Sequence, residues 1–107
     1  MKNRVQLIGN AGNDPIVKKL DGGRKVANLT IATNEIYKND KGERVEQTEW
    51  HMVVAWGKTA EIMEKFVTKG KQIAVDGKLT HRSYEDKNGE KRYISEVLVS
   101  EIMLLGK

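Results

Sequence analysis

The chain of 107 residues contains no cysteine and only one proline. Without thiols it can form neither a disulfide framework nor a thiolate zinc site, so folding must rest on packing alone. One proline and the absence of long biased tracts suit a single compact domain over residues 1–107, which is large enough to bury a core. We expect no internal domain boundary.

Long hydrophobic runs are also missing. The first apolar run, from Val5 to Gly9, is too short for the core of a signal peptide or for a membrane span. The sequence therefore predicts a soluble cytoplasmic protein that is not exported and does not enter a membrane.

Charge of either sign is present in quantity, and the basic excess is small. Lys and Arg outnumber Asp and Glu by 19 to 15, which gives a net charge of +4 and a pI near 9.3. This balance suits a polyanionic partner but does not require one. The positions of the basic side chains must show whether the partner is a polyanion.

Histidine is scarce, and this argues against an enzyme such as a nuclease. His51 and His81 lie thirty positions apart, outside the spacing of a typical metal site. Most carboxylates fall in turns or in a charged loop. The segment from Gly9 to Gly12 is too short for a phosphate-binding loop, and we interpret it as a bend at the end of a strand. We therefore predict no catalytic residue, no metal and no cofactor.

Alternating apolar and polar residues predict an all-β fold. Segments with this period are bounded by turn signals such as Asp21-Gly22-Gly23 and Asn88-Gly89. The predicted strands cover residues 4–9, 15–20, 26–35, 49–56, 71–84 and 92–105. The polar residues 36–48 predict a long mobile hairpin loop.

One segment changes to a helical period. Lys58 to Lys69 predicts a helix that Thr59 can cap and Gly70 can end. Its buried face would comprise Ala60, Met63, Phe66 and Val67. With residues 49–56 as the third barrel strand, the order is β-β-β-α-β-β. A five-stranded Greek-key barrel with a helix between strands three and four is the oligonucleotide-binding (OB) fold.

Both tryptophans lie on one face of the strand 49–56. Trp50 and Trp56 share that face with Met52 and Val54, and the other face carries His51, Val53 and Ala55. One interpretation buries the tryptophans in the core, since tryptophan is mostly buried. The other points them outward, because a narrow barrel accommodates valine and alanine better than two indoles.

The strand 71–84 favours the outward interpretation. Its inward positions are Ile73, Val75, Gly77 and Leu79, and they already help fill the interior together with Val5, Leu7, Leu29 and Ile31. The outer face then carries Lys78, Arg82 and Tyr84 beside Trp50 and Trp56, with Tyr37 and Lys38 in the loop above. Aromatic planes among positive charges suit the bases and phosphates of a single-stranded nucleic acid.

Several segments closely resemble the bacterial single-stranded DNA-binding protein family. They are RVQLIGNAGNDP, VANLTIATNE, EQTEWHMVVAWGKTAE, KGKQIAVDGKL and RYISEV, which occur in the family's order over essentially the whole chain. The resemblance implies an OB fold that assembles as a homotetramer. It also implies binding and wrapping of single-stranded DNA, without sequence preference, during replication, recombination and repair in the nucleoid.

The resemblance also implies roles for individual residues. The four positions on which family members stack bases correspond to Tyr37, Trp50, Trp56 and Tyr84. Basic positions on the family's DNA path correspond to Arg4, Lys58, Lys69 and Arg82. His51 matches a histidine associated with subunit contacts.

Three features depart from the family pattern. Met52 and Thr80 stand where better-known members carry arginine, so affinity or site size should be lower or more sensitive to salt. The chain ends at Leu105-Gly106-Lys107, without the disordered tail and acidic tip that recruit replication and repair proteins. Both a shortened chain and a naturally tail-less member fit this ending.

A second alternative is a primosome-type relative that binds single strands weakly and docks mainly onto a helicase loader. Such relatives tend to lose the aromatic set. Retention of aromatic residues at all four positions argues against this alternative.

Overall fold

The computed structural model describes residues 2–106, which form six β-strands and one α-helix. In chain order the elements are β1 Val5–Ala11, β2 Ile16–Lys19, β3 Lys25–Lys38, β4 Arg44–Trp56, α1 Gly57–Phe66, β5 Gln72–Glu85 and β6 Lys91–Leu104. All six strands belong to one sheet in the order β1-β5-β6-β4-β3-β2.

An additional pairing between β1 and β3 closes the sheet. Asn10 and Ala11 of β1 lie opposite Ala32 and Ile31 of β3, while β1 pairs along most of its length with β5. The four-residue β2 forms a hairpin with the start of β3. The five longer strands therefore make a closed barrel with α1 between β4 and β5, and the predicted OB architecture is confirmed.

The core confirms the predicted direction of β4. Val53 and Ala55 are buried, whereas Trp50 on the opposite face is 64% exposed. The largest fully buried side chains are Ile31, Met63, Ile73, Val53 and Val67. The interior is thus filled by medium-sized aliphatic groups, as expected for a barrel too narrow to hold indoles.

The helix is shorter than predicted. It begins at Gly57, immediately after β4, and no side chain caps it, so the prediction of a Thr59 cap was wrong. Gly57 has φ +59, a conformation that glycine adopts most easily, and this permits the abrupt turn from strand to helix. The helix ends at Phe66 because Val67 takes an extended conformation and enters the core.

Two residues predicted in the core are exposed. Phe66 is 54% exposed, because Met63 and Val67 already fill the base of the barrel beneath α1. Leu79 is 40% exposed because it is the last inward-facing position of β5 before the strand leaves the barrel. Val5 and Leu7 are half-buried and pack against the core.

The predicted long loop over residues 36–48 was wrong. β3 and β4 instead continue as a ribbon of paired residues from Val26↔Trp56 to Lys38↔Arg44, and only residues 39–43 form the turn. The Asn39 side-chain oxygen accepts the N–H groups of Lys41 and Glu43 and holds this turn. Polar strands exposed on both faces carry no hydrophobic alternation, so the sequence pattern concealed them.

Two hairpin arms extend from the same end of the barrel. β4 and β6 run parallel and pair only at Val53↔Val97 and Val54↔Leu98. Before that point they belong to separate ribbons, the β3–β4 arm (residues 33–49) and the β5–β6 arm (residues 81–95). The arms flank one sheet surface.

Candidate nucleic-acid interface

The pairing register places the predicted aromatic and basic residues of β4 and β5 on one surface. Trp50 and Trp56 share a face with Val54, which lies opposite Leu98 of β6, and Leu98 lies opposite Lys78 of β5. We call this surface the outer face. It carries Trp50, Met52, Val54 and Trp56 from β4, Ile94, Glu96 and Leu98 from β6, and Lys78, Thr80, Arg82 and Tyr84 from β5.

Trp50 is held from one side and open on the other. Its ring lies against the backbone of Gly12, where an added Cβ would come within 2.6 Å of Trp50 Cζ3. Gly12 is fixed in turn by a hydrogen bond from its N–H to the Thr30 carbonyl, and Thr30 N–H donates to Asn13 Oδ1. The segment after β1 therefore supports the indole while much of the ring remains exposed.

Trp56 lies under a guanidinium that sequence reasoning missed. The Cζ atom of Arg24 is 4.8 Å from the centroid of the Trp56 ring, which is cation–π distance. Arg24 follows the turn at Gly22-Gly23, and it reaches Trp56 because Val26 pairs with Trp56. Only the register between β3 and β4 could have revealed this contact.

A shallow depression of about 640 Å³ surrounds this contact. Four basic side chains and two acidic ones border it. Its lining residues are Lys2, Asn3, Arg4, Arg24, Trp56, Asp76, Gly77, Lys78, Leu98, Val99, Ser100 and Glu101. The structure thus brings Arg4 and Lys78, two predicted phosphate contacts, to the same place as Trp56.

Arg4 already has a partner in this depression. Its Nη2 lies 2.7 Å from Oδ2 of Asp76, and Gln6 donates to the same oxygen at 3.3 Å. The hydrogen bond from Arg4 lowers the pKa of Asp76 from its ordinary value. Lys78 forms no ion pair with any residue between 2 and 106, so its charge faces solvent uncompensated.

Arg82 is also paired. Its Nε donates to Oε1 of Glu96 at 2.7 Å, and this hydrogen bond raises the pKa of Arg82. Glu96 is 7% exposed and belongs to the outer face. Sequence reasoning missed this carboxylate, although its position two residues before the half-buried Leu98 on β6 indicates the same face.

The remaining predicted cations lie away from the outer face or at its margin. Lys38 lies opposite Arg44 in the strand register, on the same face of the β3–β4 arm as Trp50 and next to the turn. Lys58 belongs to the first turn of α1, and Lys69 lies in the turn before β5, where its N–H donates to Asp14 at 2.8 Å. Neither of these two lysines is part of the sheet surface.

Tyr37 does not join the other aromatic residues. It pairs with Val45, whereas Trp50 pairs with Ala32, and this uninterrupted register places the two rings on opposite faces of the ribbon. Tyr84 does belong to the outer face, opposite Arg92 on the β5–β6 arm. The structure therefore gathers three of the four predicted stacking residues.

His51 is half-buried, and its Nε2 lies 2.9 Å from Oγ1 of Thr33. Its role in subunit contacts stays a prediction. The described part of the chain has no cluster of three or more acidic or histidine side chains that could hold a metal ion. None of the helical structure within residues 2–106 has the length and apolar character needed to cross a bilayer.

Comparison with known proteins agrees with this architecture. The chain is 43% identical over 105 residues to the Single-stranded DNA-binding protein 1 of Chlorobaculum tepidum, covering 97% of this chain and 65% of that protein. It is 43% identical over 106 residues to the protein of the same name from Xylella fastidiosa, covering 98% of this chain and 78% of the relative.

A solved structure has the same fold. It is that of the Plasmodium falciparum SSB complex with ssDNA, and it matches with a TM-score of 0.92 and 30% identity over 99% of this chain and 97% of that one. The model of the Single-strand binding protein family matches residues 2–105. This chain therefore belongs to the single-strand binding protein family.

Proposed function

We propose that this protein binds single-stranded DNA without sequence preference through the outer face. The observation that carries the proposal is the Trp50 indole, which is largely exposed on a sheet surface that also presents Lys78, Arg82 and Tyr84. A large aromatic ring supported from below by Gly12 and open above is suited to receive a nucleobase.

The chemistry favours a single strand over a duplex. Every base has a π-face, and stacking on an aromatic side chain contributes about 1 to 3 kcal/mol per base. A duplex hides those faces and offers only its phosphates. Contacts to π-faces and phosphates do not read base edges, so sequence preference should be weak.

Named relatives support the proposal. The proteins from Chlorobaculum tepidum and Xylella fastidiosa are called single-stranded DNA-binding proteins, and the Plasmodium falciparum structure is a complex with ssDNA. The family consists of DNA-binding proteins that are not enzymes, so we assign no catalytic residue.

We assign base stacking to Trp50, Trp56 and Tyr84 on the outer face. A strand that also stacks on Tyr37 has to pass around the edge of the β3–β4 arm, because Tyr37 lies on its other face. The proposed phosphate contacts are Arg4, Lys38, Lys58, Lys69, Lys78 and Arg82. Arg4 and Arg82 must share their charge between phosphate and the carboxylates of Asp76 and Glu96.

Competition between oligo-dT and a duplex of equal length tests the proposal. At moderate salt, oligo-dT should bind at least about 100-fold more tightly, because the duplex forgoes two or more stacking contacts. Oligo-dA and a mixed sequence serve as controls for sequence preference. Equal affinity for single strand and duplex would contradict the proposal.

We further propose that the chain acts as a homo-oligomer, with four subunits as the family leads us to expect. An exposed apolar patch on β1, β5 and β6 supports this, since Ile8 and Met103 are each 63% exposed and flank Ala74. One edge of β1 pairs with β5, and among the described residues the other edge has no neighbouring strand before Asn10. Such edges and patches favour subunit contacts.

The cellular role that fits is the covering of single strands during replication, recombination and repair, in the cytoplasm and at the nucleoid. Replication and repair proteins are candidate partners. A pull-down of such proteins with the oligomer, with and without bound oligo-dT, tests this role separately from DNA affinity.

A further inference from the structure

We infer that Arg24 is a DNA-binding residue that closes over a base stacked on Trp56. This inference rests on the proposed function and adds a residue to its site. The guanidinium of Arg24 is centred 4.8 Å from the Trp56 ring, so in the unbound protein it covers the surface that a base would use. A base that reaches Trp56 must therefore interact with Arg24.

The distance between Arg24 and Trp56 shows whether a base can enter between them as they stand or only after Arg24 moves. Each stacked layer needs about 3.5 Å, so a base held between guanidinium and indole needs about 7 Å. The observed 4.8 Å leaves no room, and Arg24 must move outward by about 2 Å. A long, exposed arginine side chain can make such a movement through its own rotatable bonds, without a change in the barrel.

The movement preserves the interaction that holds Arg24. A guanidinium stacks on nucleobases as well as on indole, so the inserted base replaces the ring as its partner. Arg24 forms no ion pair with any residue from 2 to 106 that would restrain it. Arg4 and Arg82, in contrast, are each bound to a carboxylate.

The surroundings favour an anionic ligand at this point. Arg24 borders the depression of about 640 Å³ together with Lys2, Arg4 and Lys78, and only Asp76 and Glu101 oppose them. Asp76 is occupied by Arg4. The volume is in the range of small-ligand sites and accommodates one nucleotide, with its base on Trp56 and its phosphate among the cations.

The test uses Arg24→Ala, Arg24→Lys and a matched control in the full chain. The control is Lys19→Ala, which removes one positive charge from the same hairpin. Lys19 lies opposite Lys25, one register position from the Val26↔Trp56 pair, and therefore belongs to the opposite face of the sheet. Oligo-dT affinity is measured over a range of salt. Arg24→Ala should weaken binding about 3- to 10-fold. Lys19→Ala should have less than about a twofold effect.

Arg24→Lys separates stacking from charge. Lysine keeps the charge but lacks the planar group, so affinity should fall while the salt slope stays that of the unmodified protein. Arg24→Ala should flatten the slope by up to about 0.7. A thermal melt of each variant checks that the barrel is intact, which we expect because Arg24 is exposed and precedes β3.

A double-mutant cycle with Trp56→Leu gives the decisive result. If Arg24 closes over a base on Trp56, the loss caused by Arg24→Ala should shrink once Trp56 is leucine, to the part that comes from its charge alone. Binding by Arg24→Ala at or above the affinity of the unmodified protein would overturn the inference, and so would an equal loss in both backgrounds. These results leave the proposed function intact, since that function fails only if oligo-dT loses its advantage over duplex.

Discussion

The Arg82 guanidinium donates from Nε to the Glu96 carboxylate at 2.7 Å, and both residues belong to the face proposed to bind DNA. Glu96 is nearly buried, whereas Arg82 is exposed. A buried carboxylate needs its cation, because an unpaired buried charge is costly. Arg82 therefore serves two partners, and a phosphate must compete with Glu96 for it.

The first prediction concerns this competition. Glu96→Gln removes the negative charge but keeps a hydrogen-bond acceptor, so Arg82 becomes a full phosphate contact. Oligo-dT affinity should rise, and the slope of log affinity against log salt should steepen by up to about 0.7. In the unmodified protein, Arg82→Ala should flatten the slope by only a fraction of about 0.7. In the Glu96→Gln background, the same substitution should flatten it by more. Weaker binding by Glu96→Gln would contradict this account.

The second prediction restores a charge that the family pattern leads us to expect. Met52 is exposed on the outer face between Trp50 and Val54, so Met52→Arg should place a cation beside a stacking residue. The salt slope should steepen by about 0.7 and affinity should increase at low salt. Asn88→Arg, in the exposed turn between β5 and β6, adds the same charge elsewhere and should change the slope less. Equal effects of both substitutions would show that the outer face does not follow the phosphate backbone.

The barrel could be predicted from sequence because each barrel strand has one face in the core. Val53 and Ala55 are buried on one face of β4, while Trp50 and Met52 are exposed on the other, and the alternation of faces correctly directed Trp50 outward. The outer part of the β3–β4 arm could not be predicted, since both of its faces contact solvent and the polar residues there follow no period. The β5–β6 hairpin was predicted, because Asn88-Gly89 marks its turn. Phe66 was misplaced because its spacing from Met63 fits a buried helical face, while the space was already occupied.

The site was predictable only along each strand. Trp50, Trp56, Arg82 and Tyr84 could be assigned to faces by alternation alone. Arg24 could not, because its contact depends on which residue of β3 pairs with Trp56. The separation of Tyr37 from Trp50 depends on the same register and on the short turn between the strands, which sequence reasoning took for a long loop.

The third prediction concerns acid and the β5–β6 arm. Asp86 accepts N–H groups of Asn88 and Glu90 through Oδ1 and a hydrogen bond from Arg92 through Oδ2, and the Arg92 contact lowers its pKa. A carboxyl with a lowered folded pKa stabilises the protein above its ordinary pKa, and this contribution disappears as pH falls through the folded pKa.

Asp86→Asn tests this dependence. Asparagine can make this turn, because Asn39 accepts the equivalent N–H groups in the turn of the β3–β4 arm. The substitution should preserve the turn but remove the ionised partner of Arg92. At neutral pH the variant should melt slightly lower than the unmodified protein. The difference should shrink in acid, as pH falls below about 4, the ordinary pKa of an aspartate. A difference that stays constant over this range would exclude the proposed role of the Asp86 charge.

The fourth prediction concerns assembly. Light scattering should report a mass near four times the subunit mass of 12.1 kDa at micromolar concentration. Met103→Glu should lower that mass, because it places a charge in the apolar patch around Ile8 and Ala74. Phe66→Glu is the matched control, since Phe66 is also exposed and apolar but lies on α1. A monomeric unmodified protein would refute the proposed oligomer.

The most direct test of the central claim is Trp50→Ala, measured by oligo-dT titration and thermal melting on the same sample. Loss of one stacking ring should weaken binding about 5- to 150-fold. Stability should fall by much less than the roughly 3 to 5 kcal/mol expected for a core indole. Trp50→Phe keeps a π-face and should recover most of the affinity. A large drop in melting temperature, with normal binding by the fraction that remains folded, would contradict the account.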